Sequence, residues 1–159
     1  MVRPRQLGHL VIKVRDLDRA ETFYTEIMGL KVTNSNAGKM IFLIANDEIS
    51  HELALVSVGN NALGPESSHV GLAHMAWQMD SFDDLREIYQ LLKRTGTAIK
   101  GIGDHGMSLG IYFSDPDGNE IEVYYELPKD QWSKENHNGW QGHFPFSLDE
   151  NSADVTAKP

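Results

Sequence analysis

The chain has 159 residues, with 23 acidic against 14 basic side chains for a formal charge of −9, and no cysteine. That length corresponds to one domain on the usual scale of roughly 100 to 200 residues, and the negative charge repels phosphate backbones and anionic membrane surfaces, so nucleic acid is a poor partner. Without cysteine the chain uses neither disulfide nor thiolate, and any metal must rest on His and carboxylate ligands.

The N-terminus, MVRPRQLGH, lacks the apolar run of a signal peptide, and no stretch reaches the roughly 18 apolar residues of a membrane span. A cytoplasmic protein away from the membrane is the expectation. Residues 7–14 are apolar and β-rich, and Asp16-Leu17-Asp18 opens a helical pattern through Ala20, Phe23, Tyr24, Ile27 and Met28, closed by Gly29. Three short strands follow at 31–34, 40–45 and 52–58, separated by the turn residues Asn36-Ala37-Gly38 and Asn46-Asp47. Residues 59–69 read as a linker. A shift of 65 residues then carries His9 onto His74, Leu17 onto Phe82, Ala20 onto Leu85, Phe23 onto Ile88 and Tyr24 onto Tyr89. The pattern therefore repeats, with strands at 98–102, 108–113 and 120–125 and a strong hairpin turn at Asp115-Pro116-Asp117-Gly118-Asn119. Ser81-Phe82-Asp83, like Asp16-Leu17-Asp18, reads as a helix start whose acids are caps.

The expected organisation is one domain over 1–127, built from βαβββ units at about 5–58 and 70–127. Residues 128–159 form an arm, ordered by Trp132, Trp140, Phe144 and Phe146 as far as 146 and disordered over the last dozen residues. Strand parity separates His74 from Met75 and Trp77, and Glu122 from Ile121 and Val123. If the apolar sets cover the helices, His74 and Glu122 line the other, concave face, where a carboxylate is costly unless paired or metal-bound. His9, His74 and Glu122 thus make a candidate metal site of two imidazoles and one carboxylate, the ligand set of non-haem Fe(II) oxygenases.

The duplicated unit, with His9 and His74 opening its halves and DPDGNEIEVY closing the second, resembles the vicinal oxygen chelate superfamily over residues 7–127. That superfamily includes glyoxalase I, bleomycin-resistance proteins, fosfomycin-resistance enzymes and extradiol dioxygenases. The segment DHGMSLGIYFSDPDGNEIEVYYE is similar to the signature region of type I extradiol dioxygenases, where a His, a Tyr and the ligand Glu follow in that order; here they would be His105, Tyr112 and Glu122. His51, in HELALV, resembles the family's additional active-site histidine. The resemblance implies an α+β fold in which two tandem βαβββ units form a curved, incomplete mixed β-barrel around the metal, with helices outside. It also implies Fe(II) as cofactor, with Mn(II) accepted by the same ligands, an aromatic diol and O2 as substrates, and a homo-oligomer.

Chemically, His51, His105 and Tyr112 suit the reaction, since an imidazole titrates near neutral pH and a phenol donates a hydrogen bond to a developing oxyanion. The plain alternatives are a solvated loop histidine for His105 and an ordinary strand tyrosine for Tyr112. His69, His137 and His143 read as surface or packing residues. Two other functions compete. A glyoxalase- or epimerase-like lyase or isomerase would add a fourth ligand near the first unit's last strand. Ala54 stands there opposite Glu122 in the repeat, which leaves only Glu52. A non-catalytic, resistance-type binder would not need His9, His74 and Glu122 together.

Overall fold

A computed structural model describes residues 1–36, 38–132 and Leu148. Two compact units emerge, one comprising Met1–Glu66 with Asp115–Asn119, the other Ser67–Ser114 with the described residues from Glu120 on. The arm's Trp140, Phe144 and Phe146, and His137 and His143, lie outside the described residues. Trp132 is described, and its indole N–H donates to the Leu127 carbonyl at 2.7 Å. Among the described residues no helix is long and apolar enough to cross a membrane.

In the first unit, β1 (Leu10–Val14) leads to α1 (Leu17–Glu26), then β2 (Lys31–Asn36), β3 (Met40–Ile44) and β4 (Leu53–Ser57). The sheet order is β1-β4-β3-β2, with β1 parallel to β4 and the other pairs antiparallel. Helix α1 starts where Asp16 accepts a hydrogen bond from the Arg19 backbone N–H at 3.0 Å. It buries Leu17, Ala20, Phe23 and Tyr24 at helical spacing. Ile12, Val14, Ile41, Leu43, Leu53 and Leu55 of the sheet are buried as well.

The second unit repeats this plan with β5 (Met75–Gln78), α2 (Phe82–Thr95), β6 (Ile99–Asp104), β7 (Ser108–Ser114) and β8 (Glu120–Glu126), in the order β5-β8-β7-β6. Ser81 caps α2 by accepting from the Asp84 N–H at 3.1 Å, and Gly96, at φ 71°, ends it in the left-handed conformation that glycine takes without a Cβ clash. The expected pair of βαβββ units is therefore present as an α+β fold of two four-stranded mixed sheets. Strand ends differ from the sequence pattern by a few residues. The largest difference is at the start of the chain, where residues 7–9 precede β1 instead of extending it.

One sequence-distant association was not expected. The Asp115–Asn119 turn, which joins β7 to β8, is bonded within the first unit. Asp117 accepts from Arg15 Nη1 at 2.9 Å and Arg19 Nη2 at 2.7 Å. Asp115 accepts the Asp117 and Asn119 backbone N–H groups on Oδ1, and on Oδ2 the phenol of Tyr24 at 3.0 Å. Burial, then Asp115, pushes the Tyr24 pKa far above its ordinary value. A phenol held neutral in the folded chain but titrating near pH 10 when unfolded contributes stability that is complete below about pH 10 and is lost as pH rises further. Urea midpoints at pH 8 and pH 10.5 are therefore expected to fall more steeply for the wild type than for Tyr24→Phe. At pH 8 that variant should be less stable by about 2 kcal/mol, the scale of a hydrogen bond to a charged group.

Candidate metal centre

In the second unit, Glu122 sits in mid-strand on β8, in register with Ala76 of β5 on one side and Tyr112 of β7 on the other. Alternation places it opposite Ile121 and Val123, which are fully buried beneath the sheet. Glu122 itself is only 8% exposed, a position a lone carboxylate would not hold without partners. His74, two residues before Ala76, shares its face and brings Nε2 to 3.1 Å from Glu122 Oε2. The other oxygen, Oε1, lies 3.8 Å from His105 Nε2.

His105 is held inward by its turn. Its backbone N–H donates to Ser108 O at 2.8 Å, the Gly106 N–H donates to Asp104 Oδ1 at 2.6 Å, and Gly106 takes φ 77°. The side chain is 9% exposed, so it is not the solvated loop histidine that its turn sequence allows. Its Nε2 is hydrogen-bonded to Tyr112 Oη at 2.9 Å. The Tyr112 ring stands edge-on to His74, centroids 5.6 Å apart, and to His105, 6.1 Å apart. Burial, then the Glu122 carboxylate, raises the Tyr112 pKa well above its ordinary value. The shift keeps the phenol in its hydrogen-bonding form well into the alkaline range, where it is engaged with both Glu122 and His105.

The remaining two candidates are in the first unit. His9 is exposed just before β1, and His51 precedes β4. Their rings lie 4.5 Å apart, tilted by 39°, and His51 also meets Phe42 edge-on at 5.1 Å. Ser50 Oγ is 3.0 Å from His51 Nδ1. Glu52 spends a carboxylate oxygen on the Ala45 backbone N–H at 3.0 Å, and Ala54, fully buried, pairs with Val11 and Phe42. The β4 position that matches Glu122 thus carries no carboxylate. His69 is exposed.

Among the described residues, no group of three His, Cys, Asp or Glu side chains is gathered as a metal cage, so fit to a metal is tested on the His74–Glu122 pair. Two adjacent ligands, each about 2.1 Å from one octahedral ion, stand roughly 3 Å apart. The 3.1 Å between His74 Nε2 and Glu122 Oε2 meets that spacing, and the nitrogen and oxygen donors suit Fe(II) or Mn(II). Sequence reading passed over Asp104, which fastens the His105 turn, and Gly110, which faces the Glu122 carboxylate. The available signal for Gly110 was a lone glycine inside an apolar strand, the mark of a close approach.

The family model described as Glyoxalase/Bleomycin resistance protein/Dioxygenase superfamily matches residues 6–123. A catechol-2,3-dioxygenase of Bacillus subtilis (strain 168) is 34% identical over 137 residues, covering 81% of this chain and 44% of that protein. Biphenyl-2,3-diol 1,2-dioxygenase 3 of Rhodococcus globerulus is 34% identical over 124 residues, covering 77% and 63%. A manganese-dependent 2,3-dihydroxybiphenyl 1,2-dioxygenase of Geobacillus genomosp. 3 is 27% identical over 127 residues, covering 78% and 38%. The chain thus spans between about a third and two thirds of the length of these relatives. Among solved structures, a glyoxalase/dioxygenase from Nostoc punctiforme shares the fold with a TM-score of 0.66 at 22% identity, covering 80% of this chain and 97% of that one.

Proposed function

The chain belongs to the glyoxalase/bleomycin resistance protein/dioxygenase superfamily, and from that premise we propose that it is a metal-dependent extradiol dioxygenase, cleaving the ring of a catechol-type diol with O2. The observation that carries this reading is the His74–Glu122 pair, a half-exposed imidazole on a buried carboxylate at the spacing of two adjacent metal ligands, with His105 and Tyr112 hydrogen-bonded to each other beside it. The dioxygenase names of the relatives support an oxidoreductase.

In this reading His9, His74 and Glu122 hold Fe(II), or Mn(II) in its place. The bound ion would supply the open coordination positions that a diol and O2 need side by side. His105 Nε2 takes and returns the proton that a diol oxygen must shed, and its buried, fastened turn keeps that nitrogen in place. Tyr112 Oη, a neutral phenol whose ionisation its surroundings oppose further, donates a hydrogen bond to the oxygen on which negative charge develops. His51 offers a second imidazole for proton delivery, oriented by Ser50 and Phe42. A lyase or isomerase would call on a fourth ligand near β4, but there Ala54 has no donor and Glu52 is bonded to Ala45. This favours the dioxygenase.

The test is anaerobic loading with Fe(II), followed by catechol, biphenyl-2,3-diol and a polycyclic diol in air. O2 uptake with a yellow ring-opened product, lost in His74→Ala, is the expected result. Failure to bind metal would remove the site. Bound metal with no O2 uptake on any diol would favour the lyase or isomerase.

A further inference from the structure

We infer that Gly110 is a positioning residue for Glu122: the side chain it lacks leaves the space into which the carboxylate folds toward His105. This inference rests on the metal centre proposed above. On β7, Leu109, Ile111 and Phe113 turn to the buried side, so Gly110 and Tyr112 share the face of Glu122. Gly110 is paired with Tyr124, two residues beyond Glu122, and Glu122 reaches across it on the diagonal. A Cβ built on Gly110 would stand 2.5 Å from Glu122 Oε1, 3.4 Å from Glu122 Cδ and 3.5 Å from His105 Nε2.

Glycine is not required here by the backbone, because Gly110 is absent from the glycines with positive φ. A glycine inside a strand weakens it, since it brings no side chain to pack and has more freedom to lose on folding. The close approach of the carboxylate is what the position gains. The first unit supplies an internal comparison. By ladder register Ala54 occupies the place of Glu122, and Met40, paired with Val56, occupies the place of Gly110. Where the carboxylate is missing, its neighbour on the next strand carries a full side chain.

An added methyl would press on the end of a flexible side chain, so the carboxylate moves and the sheet does not. Because Oε1 and Oε2 belong to one group, displacing Oε1 also shifts Oε2 from its 3.1 Å approach to His74 Nε2. The site loosens while the fold keeps its stability. Ala in place of Gly also restricts the unfolded chain, which favours the folded state.

The experiment compares wild type, Gly110→Ala and Gly101→Ala by Mn(II) titration with electron paramagnetic resonance and by thermal unfolding without metal. Gly101, on β6, has no atom within 4 Å of a built Cβ and is the control. Gly110→Ala is expected to unfold at or above the wild-type midpoint yet bind Mn(II) about 10- to 100-fold more weakly, the range seen when the support of a metal ligand is lost, with an altered spectrum of the bound ion. Gly101→Ala should bind as wild type does. Affinity within twofold of wild type in Gly110→Ala would overturn the inference, as would an unfolded or strongly destabilised variant, which would mean that the sheet gives way instead of the carboxylate. Absence of Mn(II) binding by the wild type would overturn the metal centre itself, and this inference with it.

Discussion

His105→Ala is expected to slow diol turnover by about 100- to 10,000-fold while the protein still binds its metal, the range for loss of a positioned general acid or base. Nε2 of His105 is 3.8 Å from Glu122 Oε1 and 2.9 Å from Tyr112 Oη, so the imidazole adjoins the proposed metal ligand through a contact longer than a hydrogen bond. Its loss removes the proton acceptor and one hydrogen-bond partner of Tyr112, but leaves His74 and Glu122 at their mutual spacing. The effect therefore falls on the chemical step. Steady-state O2 uptake together with metal content per chain checks it. Turnover within threefold of wild type would take His105 out of the mechanism.

Glu122→Gln is the second large effect, and it falls on binding. The amide keeps the size of the carboxylate but loses its charge, so the metal affinity should drop by more than about 100-fold, beyond the range for loss of a residue that merely supports a ligand. Without metal, the variant should be as stable as wild type or more so. A carboxylate buried to 8% exposure beside two histidines carries a desolvation cost that the amide avoids. The phenol of Tyr112 reports the same change. The Glu122 charge is among the causes holding its pKa up, so in Glu122→Gln the phenol should ionise at lower pH, followed as tyrosinate absorbance in an alkaline titration. Wild-type metal affinity in this variant would exclude Glu122 as a ligand.

Much of this arrangement was legible because it follows local rules. The shift from His9 to His74 exposed the duplication, helical spacing marked Phe23 and Tyr24 as buried, and strand parity separated Glu122 from Ile121 and Val123. The Asp16 and Ser81 caps follow from side-chain chemistry alone. Other features depend on contacts far apart in sequence. The Asp115–Asn119 turn reads as a hairpin, but its bonds to Arg15, Arg19 and Tyr24 join residues about 90 to 100 positions apart, which no local pattern encodes. The burial of His105 likewise depends on how Asp104 and Ser108 fasten a short turn. Gly110 was overlooked because the reason for a glycine there is the position of one carboxylate on the adjacent strand. The sequence pattern puts His9 inside the strand expected at 7–14 and the family resemblance puts His51 at the start of the strand expected at 52–58, and the approach of their rings to 4.5 Å is a detail of side-chain packing that spacing does not reveal.

The most direct test of the central claim is turnover of biphenyl-2,3-diol or catechol by the Fe(II)-loaded protein under 18O2, with mass spectrometry of the ring-opened product. An extradiol dioxygenase places both atoms of one O2 molecule in that product, so a mass increase of two 18O atoms is the predicted result. A product carrying no 18O, or a diol recovered intact by protein that has bound its metal, would contradict the account.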